Sequence, residues 1–163
     1  MISIQVDRAV AGQLRAAERA ELKRQLGRMT KAAALTEAQG RPPVALEVNL
    51  RLVSDATIHE LNREYRHKDK PTDVLAFAQR DAGLVAMPGV LGDIIISLDT
   101  AYRQTKAPRT RQRVFRELVF LMSHGLCHLL GYDHRDDEEE HEMNARMAKL
   151  RAEAERRGRV LPA

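Results

Sequence analysis

Residues 110–134 read TRQRVFRELVFLMSHGLCHLLGYDH, basic and polar at first and almost wholly apolar after Leu118. That run predicts a helix over 110–130 that is central and buried on most sides. Gly131 ends it, because glycine takes the left-handed cap conformation without a side-chain penalty. Working outward, ISIQV at 2–6 and VALEVNLRLV at 44–53 alternate apolar and polar residues as half-buried strands do. Val74 to Ala78 and Ile94 to Ile96 are short runs rich in branched residues, and they too read as strands.

The remaining segments read as helices and connections. Up to about Ala38, Val10, Leu14, Leu22, Leu26 and Met29 recur at helical spacing, with a break expected near Thr30. Residues 39–43, QGRPP, then stop that helix. Ser54 or Asp55 caps a helix over 56–66 with Ile58, Leu61 and Tyr65 on one face. Residues 81–89 read as a loop, and 98–106 as a short helix ended by Pro108. Asp136 to about Arg156 forms a last, charged helix with Met143, Met147 and Leu150 as its inner stripe. About four strands and about five helices predict an α+β fold: a single domain over 1–163, its mixed sheet packed around the central histidine-bearing helix.

Composition limits the function classes. The chain has 163 residues, 44% hydrophobic and 31% charged, with a net charge of +4. Neither disorder nor a strongly basic nucleic-acid platform follows from those values. With no Trp, three Phe and three Tyr, an aromatic base-stacking surface is not expected. Cys127 is the only cysteine, which excludes an intrachain disulfide. The opening MISIQVDRAV lacks the pattern of a signal peptide, and no run approaches the roughly 18 apolar residues of a membrane span. A cytoplasmic location is expected.

Within the central stretch, HGLCHLLGYDH places three of the six histidines inside eleven positions, at i, i+4 and i+10. Residues four apart share a helix face, so His124 and His128 offer two imidazoles to one ion. The turn at Gly131 brings back His134 as a third. Burying three unpartnered imidazoles costs on the order of a few kcal/mol, so a metal is the economical reading. Three neutral nitrogens leave a fourth tetrahedral position open, as in catalytic zinc sites. His59 and His141 read as solvated helix residues and His67 as a loop residue. Cys127 points about 100° from His128 and about 60° from His124, which suits a small buried side chain. Asp133 either orients a ligand histidine or caps the turn.

The spacing equals that of metzincin peptidases, H-E-x-x-H-x-x-G-x-x-H, but Gly125 stands where they carry a glutamate general base. A peptidase lacking that glutamate has no proton shuttle. Together with LNREYRHKDKPTDVLAFA at 61–78 and LGDIIIS at 91–97, the histidine motif resembles the YbeY family of bacterial rRNA maturation endoribonucleases, in consistent order over roughly Val44 to Met147. Departures are Ala76 and Ala78, where the family's strand commonly reads S-F-P, and Cys127 in place of a common leucine.

The resemblance implies a zinc-dependent, single-strand-specific endoribonuclease acting at the 3′ end of the small-subunit rRNA and in ribosome quality control. His124, His128 and His134 match its metal ligands, one zinc per chain, and Arg66 matches its functionally important arginine. Precursor rRNA and the ribosome are the implied partners. From spacing alone Arg66 reads as a helix-end arginine capping carbonyls; with the resemblance it becomes the group that stabilises phosphate charge. Lys68 and Lys70 are candidate RNA-backbone contacts, as are Arg109, Arg113 and Arg116 on one helix edge. Arg113 shares the face of His124 but lies roughly 16 Å away along the axis. Two other readings stand beside this one: a zinc peptidase or amidase on the same tripod, and a non-catalytic ribosome-assembly factor stabilised by zinc.

Overall fold

In the computed structural model, which describes residues 1–82 and 89–163, strand alternation sets the two faces of one sheet. Strand β2 (Glu47–Val53) turns Val48, Leu50 and Leu52 into the main core. It starts later than the predicted Val44, which stays exposed beyond the proline pair. Strand β1 (Ile2–Val6) pairs parallel with β2, placing Ile4 opposite Leu50. Strand β4 (Val90–Ser97) lies parallel on the other side of β2, and β3 (Val74–Ala78) runs antiparallel along β4. The order is β1-β2-β4-β3.

Strand β4 extends well beyond the predicted Ile94 to Ile96. It is covered on both faces, which explains an unbroken apolar run where a half-buried strand alternates. Ile94 and Ile96 enter the main core, while Ile95 joins Val53, Ile58 and Leu75 on the opposite face. The five predicted helices are present as α1 (Ala16–Ala38), α2 (Asp55–Arg66), α3 (Leu98–Gln104), α4 (Arg111–Leu130) and α5 (Asp137–Glu155). Leucines and methionines of α1, α4 and α5 fill the main core, whereas Ile58 of α2 covers the second face. The mixed sheet and its helices make the expected α+β fold, with α4 at the centre.

The expected break near Thr30 does not occur. The Thr30 hydroxyl donates to the Gly27 carbonyl at 2.9 Å, satisfying itself inside the helix, so α1 runs through it. The interruption comes earlier: a 3-10 turn over Arg8–Gln13 is followed by extended Leu14 before α1 begins. Ser54 is the cap of α2, its Oγ accepting from the Thr57 N–H at 3.3 Å. Of the predicted face, Ile58 is buried and Leu61 half-buried, while Tyr65 stays exposed with its ring edge on Phe77. The expected loop over 81–89 falls largely outside the described residues, which give a 3-10 turn at Gln79–Ala82 and resume at Gly89.

Two glycines bring these layers together. Gly92 in β4 has φ +137°, and a β-carbon there would fall on the Phe77 carbonyl oxygen of β3. Gly125 in α4 lies against β4, and a β-carbon there would stand 2.7 Å from Cγ2 of Ile94. The helix approaches the sheet that closely only because position 125 has no side chain.

Gly92→Ala combines a disfavoured φ with a backbone clash and is expected to lower stability by about 1–3 kcal/mol. In urea unfolding the midpoint falls at an unchanged m-value; an unaltered midpoint contradicts the close approach.

Candidate metal centre

The last two turns of α4 carry His124 and His128, both half-buried. The helix then stops in a hydrogen-bond pattern that its glycine makes possible. Gly131 has φ +106°; its N–H donates to the His128 carbonyl at 3.1 Å, and the Tyr132 N–H reaches back to the Cys127 carbonyl at 3.0 Å. This pair of bonds is a Schellman cap, and it reverses the chain within a few residues. His134 is thereby returned to the two helical histidines.

The three rings meet. Nε2 of His124 and Nε2 of His128 are 3.1 Å apart, and one nitrogen from each of the three rings lies within 4.8 Å of the others. Tetrahedral zinc, with bonds of about 2.0–2.1 Å to nitrogen, holds its ligands about 3.3 Å apart. The helical pair already has that separation. His134 is the exposed member of the three. Burial, with repulsion from His128, lowers the pKa of His124 to about 4. Burial and His134 lower that of His128 as well. Both rings are therefore neutral near pH 7, the form that binds a metal. The donor set fits a divalent transition ion with an open coordination position.

Other groups near the motif have different roles. Cys127 is fully buried in the main core, and burial pushes its thiol up to about 12, far from the thiolate needed for ligation. Asp133 accepts from the backbone N–H of His134 at 2.8 Å, but its carboxylate is 3.8 Å from the ring Nδ1. It fixes the backbone of His134 rather than bonding to its ring. Gly125 packs on Ile94, so the position that carries the metzincin glutamate is here a contact with the sheet.

The histidines open into a cleft of about 690 Å³ between α4, the end of α2 and strand β3. His67, the residue after α2, has φ +58°, and this left-handed step turns the chain so that Arg66, Lys68 and Lys70 all line the cleft. Arg66 donates from Nη2 to the Ala76 carbonyl of β3 at 2.7 Å, and its guanidinium carbon lies 4.9 Å from the centre of the Phe77 ring. The arginine is thus tied to β3 rather than to its own helix end, and its charge helps lower the pKa of His128. Arg113 lies elsewhere, at the start of α4, donating to the Ala107 carbonyl at 3.1 Å. Arg109 covers the Tyr102 ring, and Arg116 lines a separate hollow with Phe120 and Arg151. His59 pairs with Asp69 at 2.7 Å on the surface, and His141 is exposed on α5.

Sequence reading missed Asn62, Thr72 and Asp73, which also line the cleft. Asn62 is buried and donates to the Lys70 carbonyl at 2.8 Å, pinning the 67–73 segment over the site. The amphipathic pattern of α2 gave one cue, a polar residue beside apolar Ile58 and Leu61 on the inward side. No local cue marked Asp73.

Comparison with known proteins agrees with this construction. A family model described as Endoribonuclease YbeY matches residues 12–155. A Picosynechococcus protein named Endoribonuclease YbeY is 46% identical over 114 residues, 67% of this chain and 69% of the relative. One from Brevibacillus brevis, of the same name, is 46% identical over 131 residues, 73% and 77% of the two chains. The solution structure of TM1509 from Thermotoga maritima superimposes with a TM-score of 0.57 at 29% identity, covering 94% of this chain and 89% of that one. With the family model spanning the tripod, the cleft and the whole sheet but β1, this chain belongs to the endoribonuclease YbeY family.

Proposed function

We propose that this chain, acting as one domain over 1–163, is a zinc-dependent endoribonuclease for single-stranded RNA. Its proposed tasks are maturation of the small-subunit rRNA 3′ end and ribosome quality control in the cytoplasm, with precursor rRNA and the ribosome as partners. The observation that carries this reading is the convergence of His124, His128 and His134 at one end of a cleft whose other wall presents Arg66, Lys68 and Lys70. Such a cleft offers a cation site and fixed positive charge to a phosphodiester. The relatives named Endoribonuclease YbeY add the substrate class. No helix among the described residues is long and apolar enough to cross a membrane.

One zinc per chain, when bound, supplies Lewis acidity toward a phosphate oxygen and brings the pKa of water towards about 7. The chain's own residues do the rest. The two helical imidazoles are held neutral and aimed at one point. Asp133 fixes the backbone that delivers His134. Arg66, anchored on Ala76, presents a planar and permanently charged fork to the non-bridging oxygens, where negative charge grows in the transition state. Lys68 and Lys70 hold the neighbouring backbone as mobile point charges. Arg113, outside the cleft, suits a phosphate several nucleotides from the cut.

Neither alternative has comparable support. The metzincin base position is closed, since even a β-carbon at 125 meets Ile94, and the relatives are named endoribonucleases rather than peptidases. A purely structural zinc takes four protein ligands. The described residues gather three histidines, and Cys127 faces the core.

His128→Ala is expected to reduce bound zinc from about one per chain to a trace, read by metal analysis of the purified protein. A variant that retains stoichiometric zinc refutes the tripod. Arg66→Glu is expected to keep its zinc and lose at least ~100-fold in cleavage of a single-stranded RNA. Unchanged cleavage removes Arg66 from the chemistry.

A further inference from the structure

With position 125 closed to a side chain, the cleft still needs a group that moves a proton between the attacking and leaving oxygens. Among the described residues, three carboxylates line it: Asp73, Asp81 and Asp133. Asp133 is exposed and engaged with the backbone N–H of His134 and with Arg135. Asp81 is exposed in the 3-10 turn beyond β3. Asp73 alone of the three is half-buried, immediately before β3.

The fold holds Asp73 firmly. Its Oδ1 accepts from the Val74 N–H at 2.7 Å, and its carbonyl accepts from the Ser97 N–H of β4 at 2.9 Å. Its charge acts on two residues of α4 that lie on one face, two helical turns apart. It raises the proton affinity of His124, against the burial that lowers it, and adds to the burial that raises the pKa of Glu117. Asp73 lines the same cleft as the tripod without being one of its three ligands.

We propose that Asp73 is the proton-transferring residue of this cleft, an assignment that rests on the metal-dependent RNA-cleavage reading above. As the attacking hydroxyl oxygen bonds to phosphorus, its proton passes to the Asp73 carboxylate. As the phosphorus–oxygen bond to the leaving nucleoside breaks, that proton passes from Asp73 to the departing oxygen. The carboxylate is regenerated and no external acid or base is consumed. This is the part a glutamate at 125 plays in metzincins, supplied here from strand β3 instead of helix α4. The side chain comes from the opposite wall of the cleft, so α4 remains free to lie flat on Ile94.

Asp73→Asn is the discriminating variant, because the amide oxygen still accepts from Val74 while the proton-carrying function is gone. The zinc-loaded variant is compared with wild type on single-stranded RNA and on bis(p-nitrophenyl) phosphate, whose leaving group departs without a proton. The expected result is unchanged zinc content and melting temperature, and kcat on RNA lowered ~100-fold or more with KM not raised. On the nitrophenyl ester, which still requires deprotonation of the attacking hydroxyl but no protonation of its leaving group, the loss is smaller than on RNA.

Cleavage of RNA within about threefold of wild type overturns the assignment. So does an equal loss on both substrates, which removes the delivery of the proton to the leaving oxygen, or a loss of zinc, which makes Asp73 a structural residue. Failure of zinc-loaded wild type to cleave RNA sinks the underlying reading instead, and the wild-type control separates the two.

Discussion

The distance between helix α4 and strand β4 governs most of what this molecule does. It is set where a backbone with no side chain at Gly125 rests on the branched side chain of Ile94. A larger residue there forces the helix outward, and the histidine one position earlier leaves with it. His124 and His128, both half-buried, line a cleft shared with the end of α2 and with β3. The missing glutamate and the tight packing are thus one structural fact, seen first as a gap in a motif and then as a contact.

The tripod was legible in the sequence because everything that builds it is local. Spacing of four on a helix, a glycine that accepts a left-handed conformation and a short return are rules of backbone geometry, and no distant residue alters them. The sheet was legible for a similar reason, since strand alternation and the isoleucine run of β4 report which faces are covered. Arg66 differs: spacing alone made it a helix-end cap, and only the family resemblance gave it a chemical role. The structure ties it to Ala76 and Phe77, partners ten and eleven residues away that it meets only once β3 has paired with β4.

Other features were not legible, also for physical reasons. Asp73, between a threonine and a strand, has the sequence context of an ordinary strand-entry residue, and its nearness to α4 exists only in the assembled fold. Thr30 lowers helix propensity, which suggested a break. Its hydroxyl instead finds the Gly27 carbonyl, and burial against the core outweighs the local preference. Arg109, Arg113 and Arg116 read from the sequence as candidate RNA-backbone contacts on one helix edge. In the structure Arg109 and Arg113 turn to nearby carbonyls and Arg111 pairs with Glu18, so charge in sequence does not become a single charged surface.

The Schellman turn at Gly131 has a consequence for the order in which the protein assembles. All three imidazoles lie within eleven consecutive residues, so the loop that must close to gather them is short and its entropic cost small. Arg66 and Asp73 arrive from far upstream and wait for long-range strand pairing, the slower kind of contact to form. The cation-gathering half of the cleft is therefore a local module of the chain, and its phosphate-facing half is a product of the finished topology. Under the proposed function, a polypeptide caught partway through folding would gather its three imidazoles before Arg66 and Asp73 reach them.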